Sequence, residues 1–117
     1  MDNIDWQHLL FQFDGRINRA KYWLGFVIVY VAIWVLIAIA AAVNSAAVWT
    51  IVGLVGLLAI WPGLAIQIKR WHDRGKSGWW VLIGLIPIIG FWWVLIECGF
   101  LSGDEGPNEY GPDPLTA

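Results

Sequence analysis

Lys69-Arg70-Trp71-His72-Asp73-Arg74-Gly75-Lys76-Ser77-Gly78-Trp79-Trp80 carries four of the seven Lys and Arg residues of a 117-residue chain, one of its two His and three of its ten Trp. An apolar run lies on each side of it, residues 48–68 before and residues 79–101 after. A third run, residues 22–43, has no charged residue over 22 positions. As a helix it would rise roughly 33 Å, enough to cross a hydrocarbon layer of ~30 Å. The basic stretch, residues 69–78, therefore reads as a short cytoplasmic loop between two membrane spans.

Composition supports this. The chain is 59% hydrophobic and 14% charged, with a mean hydropathy of +0.64. Soluble domains carry roughly 25% charge, and a domain this small buries too little of its surface to hide so much apolar area from water. A bilayer removes the conflict. The rival for the first run is a secretory signal peptide, since Ala38-Ile39-Ala40 and Ser45-Ala46-Ala47 resemble cleavage sites. Such a peptide has an apolar region of only about 7–15 residues, so the run is expected to be an uncleaved span. One cysteine, Cys98, excludes an internal disulfide.

The expected fold is all-α: a polytopic membrane protein of three transmembrane helices, with a short N-terminal interfacial helix and an irregular acidic C-terminal tail. In residue 1–21, Trp6, Leu9, Leu10 and Phe13 recur at helical spacing, which suits a helix lying on the membrane surface; a frayed terminus is the alternative. Asp14-Gly15 favours a turn and Asn18 is placed to cap the first span. Pro62 predicts a kink in the second span. Gly53, Gly56 and Gly63 share one of its faces, the kind that lets another helix approach. Pro87 predicts a second kink, and Glu97, roughly 27 Å along the third helix, would reach the far interface. The tail, residues 102–117, holds three Pro, three Gly and four acidic residues but no Lys or Arg.

With three spans, Arg16, Arg19, Lys21 and the 69–78 loop fall on one side and no Lys or Arg on the other. The positive-inside rule places the N-terminus in the cytoplasm, and the tail then lies outside, in the periplasm of a Gram-negative cell. A re-entrant third run turning at Pro87 would instead bring tail and loop together.

Reactive chemistry is hard to find. Gly75-Lys76-Ser77 lacks the glycine that a phosphate-binding loop needs five residues earlier, where Arg70 stands. His8, His72 and Cys98 do not have zinc-ligand spacing. His72 and Asp73 are adjacent and so do not usually face each other; an intramembrane enzyme using them is the remote alternative to a non-enzymatic chain without cofactors. The more productive reading is a basic pocket for anionic lipid headgroups, formed by Lys69, Arg70, Arg74 and Lys76 with Arg16 and Arg19 from the N-terminal turn, with Asp73 as internal counter-charge and His72 beside it.

Three stretches resemble a known pattern. Phe13-Asp14-Gly15-Arg16-Ile17-Asn18-Arg19-Ala20-Lys21-Tyr22-Trp23 opens it, residues 70–80 follow, and Gly103-Asp104-Glu105-Gly106-Pro107-Asn108-Glu109-Tyr110-Gly111-Pro112-Asp113-Pro114 closes it. In this order they resemble the small bacterial inner-membrane proteins grouped as domain of unknown function 805; Trp71, where leucine is usual, departs from the pattern. The resemblance implies a bacterial cytoplasmic-membrane protein and no catalytic residues. It marks Gly15, Arg16, Arg19, Trp23, Arg70, His72, Asp73, Gly75, Ser77, Trp79, Asn108, Tyr110, Gly111, Pro112, Asp113 and Pro114 as a shared structural or interaction set. The expected function is interaction with membrane lipids, with a partner membrane protein or with a second copy of the chain, and not with nucleic acid. The alternative is a subunit of a small oligomeric transporter or channel.

Overall fold

A computed structural model describes residues 5–115. Residues 1–4 of the expected interfacial segment and residues 116–117 of the tail lie outside the described residues. The described chain is helical: α1 (Trp6–Phe11), α2 (Arg19–Val43), α3 (Ala46–Leu58), α4 (Ile60–Asp73), a 3₁₀ helix (Gly78–Leu85), α5 (Ile89–Val94) and a π-helical turn (Leu95–Phe100).

Side-chain caps set the starts of three helices. Asp5 Oδ1 accepts from the His8 amide, Asn18 Oδ1 from that of Lys21 and Ser45 Oγ from that of Val48, each satisfying an N–H that the first turn cannot. Asn44, left-handed at φ 51°, ends α2 and reverses the chain. Pro62 has no N–H to offer the carbonyl four residues back, and the helix breaks at Ala59 between α3 and α4.

α2 and the α3–α4 pair run antiparallel and are long enough to span. Only 6% of the apolar window of α2 and 11% of that of α3–α4 is buried. A soluble core helix would be mostly covered; these two leave Trp34, Val35, Leu57 and Leu58 open, as lipid-facing helices do. The buried apolar cluster of Leu9, Ile17, Tyr22, Ile66, Trp71 and Cys98 sits where α2 begins and α4 ends. Gly25 lets α2 approach there, since a Cβ on it would meet Ile66 Cδ1 at 2.6 Å. Gly53, Gly56 and Gly63 face open space. α1 packs along α4, with Trp61 Nε1 donating to Phe11 O and Phe13 stacked on Trp61.

The third apolar run is not one helix, which corrects the expectation of a continuous rod over residues 79–101. The 3₁₀ arm runs out to Leu85, the chain turns at residues 86–88, and α5 with its π turn runs back. At roughly 2.0 Å per residue the outgoing arm is about 16 Å long, and the returning arm is of similar length, so each reaches about half a bilayer. The tip is a γ-turn: Ile88 has φ 66° and ψ −66°, and the Ile89 amide donates to Pro87 O at 2.7 Å. Gly90 lets the arms touch, because a Cβ there would run into the carbonyl of Ile83.

This class of γ-turn is strained, by about 1–3 kcal/mol for such backbone angles. Ile88 is 76% exposed and gives little packing in return. Ile88→Gly should therefore raise the melting temperature in detergent, since glycine's own entropic penalty is only about 0.5–1 kcal/mol. A lower melting temperature would show that the turn is not held this way.

The return of the hairpin gives a second correction. The tail does not lie at the end opposite the basic loop. The Asp104 amide donates to Asp73 O at 2.6 Å and Asn108 Nδ2 to His72 O at 2.9 Å, so tail and loop share one end of the molecule. Glu97 is likewise at the basic end, not at a far interface: it pairs with Lys76 and accepts from Trp93 Nε1 at 2.9 Å.

Candidate functional site

The site is the polar knot at that end, and it begins with an unmet need of the hairpin. The last carbonyls of a helix have no partner within it and carry its negative dipole end. Here five consecutive carbonyls are met by side chains from α2 and α4. Arg70 Nε donates to Cys98 O at 2.7 Å, Trp23 Nε1 to Gly99 O at 2.9 Å and Arg19 Nη1 to Phe100 O at 2.7 Å. Arg70 Nη2 donates to Leu101 O at 2.5 Å, and Arg74 Nη1 to Ser102 O.

Asp73 lies at the centre. Arg16 Nε donates to its Oδ1 at 3.0 Å, Arg16 Nη2 lies 2.9 Å from the same oxygen, and Arg70 Nη1 pairs with Oδ2. Both guanidiniums are buried; the Arg70 residue is 0% exposed. Two cations against one carboxylate leave a positive charge in a dry place. Main-chain dipoles take it up: Arg16 donates to Asp104 O, Gly106 O and Gly111 O, and Arg70 adds Ile17 O. Such charge-assisted bonds are the strong kind. Gly103 is required beneath this cluster, because a Cβ on it would collide with the Asp73 carboxylate.

Around the centre, His72 Nδ1 donates to Gly15 O at 2.9 Å, and its ring stacks on Tyr110 at 4.0 Å and 1°. Gly15 and Gly75 hold φ of 90° and 77°, which the two turns need. Asn108 and Gly111 form an isolated bridge that closes the tail turn. Asp113 accepts the amides of Leu115 and Gly106, each at 2.9 Å, and these bonds hold its carboxyl below its ordinary 3.8. A depressed carboxyl favours the folded turn above pH 3.8, and that contribution is lost as pH falls through the lower folded value. The protection factors of the Gly106 and Leu115 amides, taken against the intrinsic exchange rate at each pH, should fall in that acid window, and Asp113→Ala should show low protection already at neutral pH. Unchanged protection in the variant would mean that the carboxylate does not hold the turn.

Of the residues singled out in the sequence, Gly15, Arg16, Arg19, Trp23, Arg70, His72, Asp73, Arg74, Asn108, Gly111 and Asp113 meet in the knot. Gly75 supplies a turn, Tyr110 the stacked ring, and Ser77 a carbonyl for the Trp80 amide. Trp79 points away and is 78% exposed. Lys76 pairs with Glu97 and lies over the Trp80 ring at 4.7 Å. His72 and Asp73 do not act as a pair: the ring goes to Gly15 and the carboxylate to arginines. Among the described residues no group of three His, Cys, Asp or Glu could hold a metal ion.

Glu97 and Lys69, read in the sequence as a far-interface acid and a headgroup cation, belong to this end instead, as does Gly103, which the sequence reading did not mark. Lys69 Nζ is buried and donates to Leu9 O at 2.8 Å. One signal was available for Glu97: an acid ending an apolar run needs a cation, and only the N-terminal turn and the basic loop supply any.

In comparison with known proteins, one family model spans the first two stretches and most of the third. The family described as protein of unknown function (DUF805) matches residues 10–112. Inner membrane protein YhaH of Escherichia coli K12 is 33% identical over 109 residues, covering 87% of this chain and 86% of the relative. Inner membrane protein YhaI of the same strain is 33% identical over 102 residues, covering 87% and 85%. Its protein YiiR is 30% identical over 131 residues, covering 92% and 88%. No solved structure matches the chain.

Proposed function

The chain belongs to the DUF805 family of proteins of unknown function, and from that premise we propose that it works in the bacterial inner membrane by contact, engaging lipids or a partner membrane protein through its apolar faces, and not by covalent chemistry. The observation that carries this reading is how the polar groups are spent. Arg16 and Arg70 donate to six main-chain carbonyls as well as to Asp73, so the charged groups at the centre of the knot are spent on holding the fold. What stays open is greasy: Trp34, Val35, Leu57 and Leu58 among others.

In this reading α2 and α3–α4 cross the bilayer, residues 78–100 form a re-entrant hairpin, and both ends of the chain are cytoplasmic. Names of the relatives support the inner membrane. Contact with anionic headgroups falls to Arg19 and Lys21 at the rim, since the remaining cations of the expected pocket are engaged internally. Pairing of Glu97 with Lys76 argues for contact over transport, because a coupling carboxylate would need to be free to change partner.

A photoreactive amino acid placed at Val35 or Leu57 in native membranes tests the proposal. Discrete lipid or protein adducts from these faces are expected. No discrete adduct from either position, only the uniform lipid labelling that any exposed apolar residue gives, would overturn it.

A further inference from the structure

Between α2, α4 and the two hairpin arms lies an open cleft of about 600 Å³, within the ~300–1,000 Å³ range of small-ligand sites. Phe26, Leu64, Val81 and Phe91 form its walls, and no charged side chain lines it. Apart from the Tyr30 hydroxyl and the Trp23 indole, which donates to Gly99 O, one polar pair lines it. Gln67 Nε2 donates to Tyr22 Oη at 2.9 Å, while Gln67 Oε1 is buried without a partner.

The hydrogen-bond inventory of this pair is informative. Tyr22 accepts from the amide and keeps its own O–H proton; Gln67 keeps its carbonyl oxygen. The pair therefore offers one donor and one acceptor, side by side, in an apolar cleft. Reversing the amide gives the same inventory, with the tyrosine oxygen as acceptor and the amide N–H as donor. Buried polar groups normally find partners, so the pair asks for a group that donates and accepts at once. An uncharged hydroxyl does so with a single atom. A phosphate does not fit, since it would need cations, and the two nearest along α4, Lys69 and Arg70, are spent on main-chain carbonyls.

We propose that this cleft binds a single-chain lipid whose head is one hydroxyl, a long-chain alcohol. Its oxygen accepts from the Tyr22 O–H and its proton goes to Gln67 Oε1, while the chain lies between Phe26, Leu64 and Phe91. The inference rests on the contact reading above and names its ligand class.

The test uses the full chain in phosphatidylethanolamine–phosphatidylglycerol vesicles with a diazirine-bearing hexadecanol. Labelling is expected on the cleft walls, with competition by hexadecanol and much weaker competition by hexadecane. Gln67→Leu and Tyr22→Phe should each weaken labelling by about tenfold, the cost of one lost hydrogen bond, with the melting temperature held. Tyr22→Phe removes a single oxygen and carries the comparison by itself if Gln67→Leu misfolds. Equal competition by hexadecane, labelling unchanged in Tyr22→Phe, capture of a phosphatidylglycerol probe instead, or crosslinks to a second copy through the cleft would overturn the hydroxyl site. None of these removes the adducts expected at Val35 and Leu57, so the contact reading fails separately.

Discussion

Asp73→Ala should remove most of the protein from the membrane fraction. The carboxylate faces Arg16 and Arg70, both buried. Deleting it leaves two guanidiniums in a dry site with no anion between them. Breaking a buried pair in this way costs about 3–5 kcal/mol, against a total stability for ordinary domains of about 5–15 kcal/mol. Asp73→Asn keeps the oxygen acceptor and loses only the charge, so it should fall between Asp73→Ala and the parent. Lys21→Ala, at the rim, should change stability by no more than about 0.5 kcal/mol. Immunoblots of membrane fractions, with melting curves in detergent, give the ranking. Parent-like levels of Asp73→Ala would mean that the centre of the knot is not structural.

The second large effect is all-or-none. A C-terminal fluorescent-protein fusion should be bright, and a C-terminal alkaline-phosphatase fusion inactive. The tail is hydrogen-bonded to the loop through Asp73, His72 and Arg16, so it cannot lie on the other side of a bilayer from them. Under the proposed orientation, which follows the positive-inside rule, the whole knot would then face the cytoplasm. An active phosphatase fusion would require either the whole knot to face the periplasm, against the charge rule, or residues 79–101 to straighten and cross; straightening would break every one of those bonds. It would also strip the arginine and tryptophan donors from the carbonyls of residues 98–101.

Much of this was legible in the sequence. The two long apolar runs, the turn at Gly15, the Asn18 cap and the Pro62 break all follow from local rules, and the structure has them. The three matching stretches could be seen as a set, and Asp73 as a counter-charge among arginines. The path of the third run was left open, because a full span and a re-entrant turn at Pro87 both fitted. Its length and hydropathy are those of a span, and an apolar count does not distinguish one rod from two arms folded together. The signal it did carry was Gly84-Leu85-Ile86-Pro87-Ile88-Ile89-Gly90: a proline with a glycine three residues to either side. The internal partners of the basic loop were hidden for a related reason. Charge counting treats Arg70 and Arg74 as groups that look outward to headgroups. Which carbonyls they cap depends on a helix end that returns from 28 residues further along the chain, in the case of Arg70 and Cys98. Periodicity does not encode that meeting.

The central claim is that the tail folds back onto the loop between α4 and the hairpin. In a Cys98→Ser background, His72→Cys and Tyr110→Cys replace two rings that stack 4.0 Å apart. Treating the detergent-purified double variant with a short bis-maleimide should join the two positions within one chain, seen as a linked peptide pair by mass spectrometry. Separate mono-adducts at both positions, with no linked pair, would contradict the account.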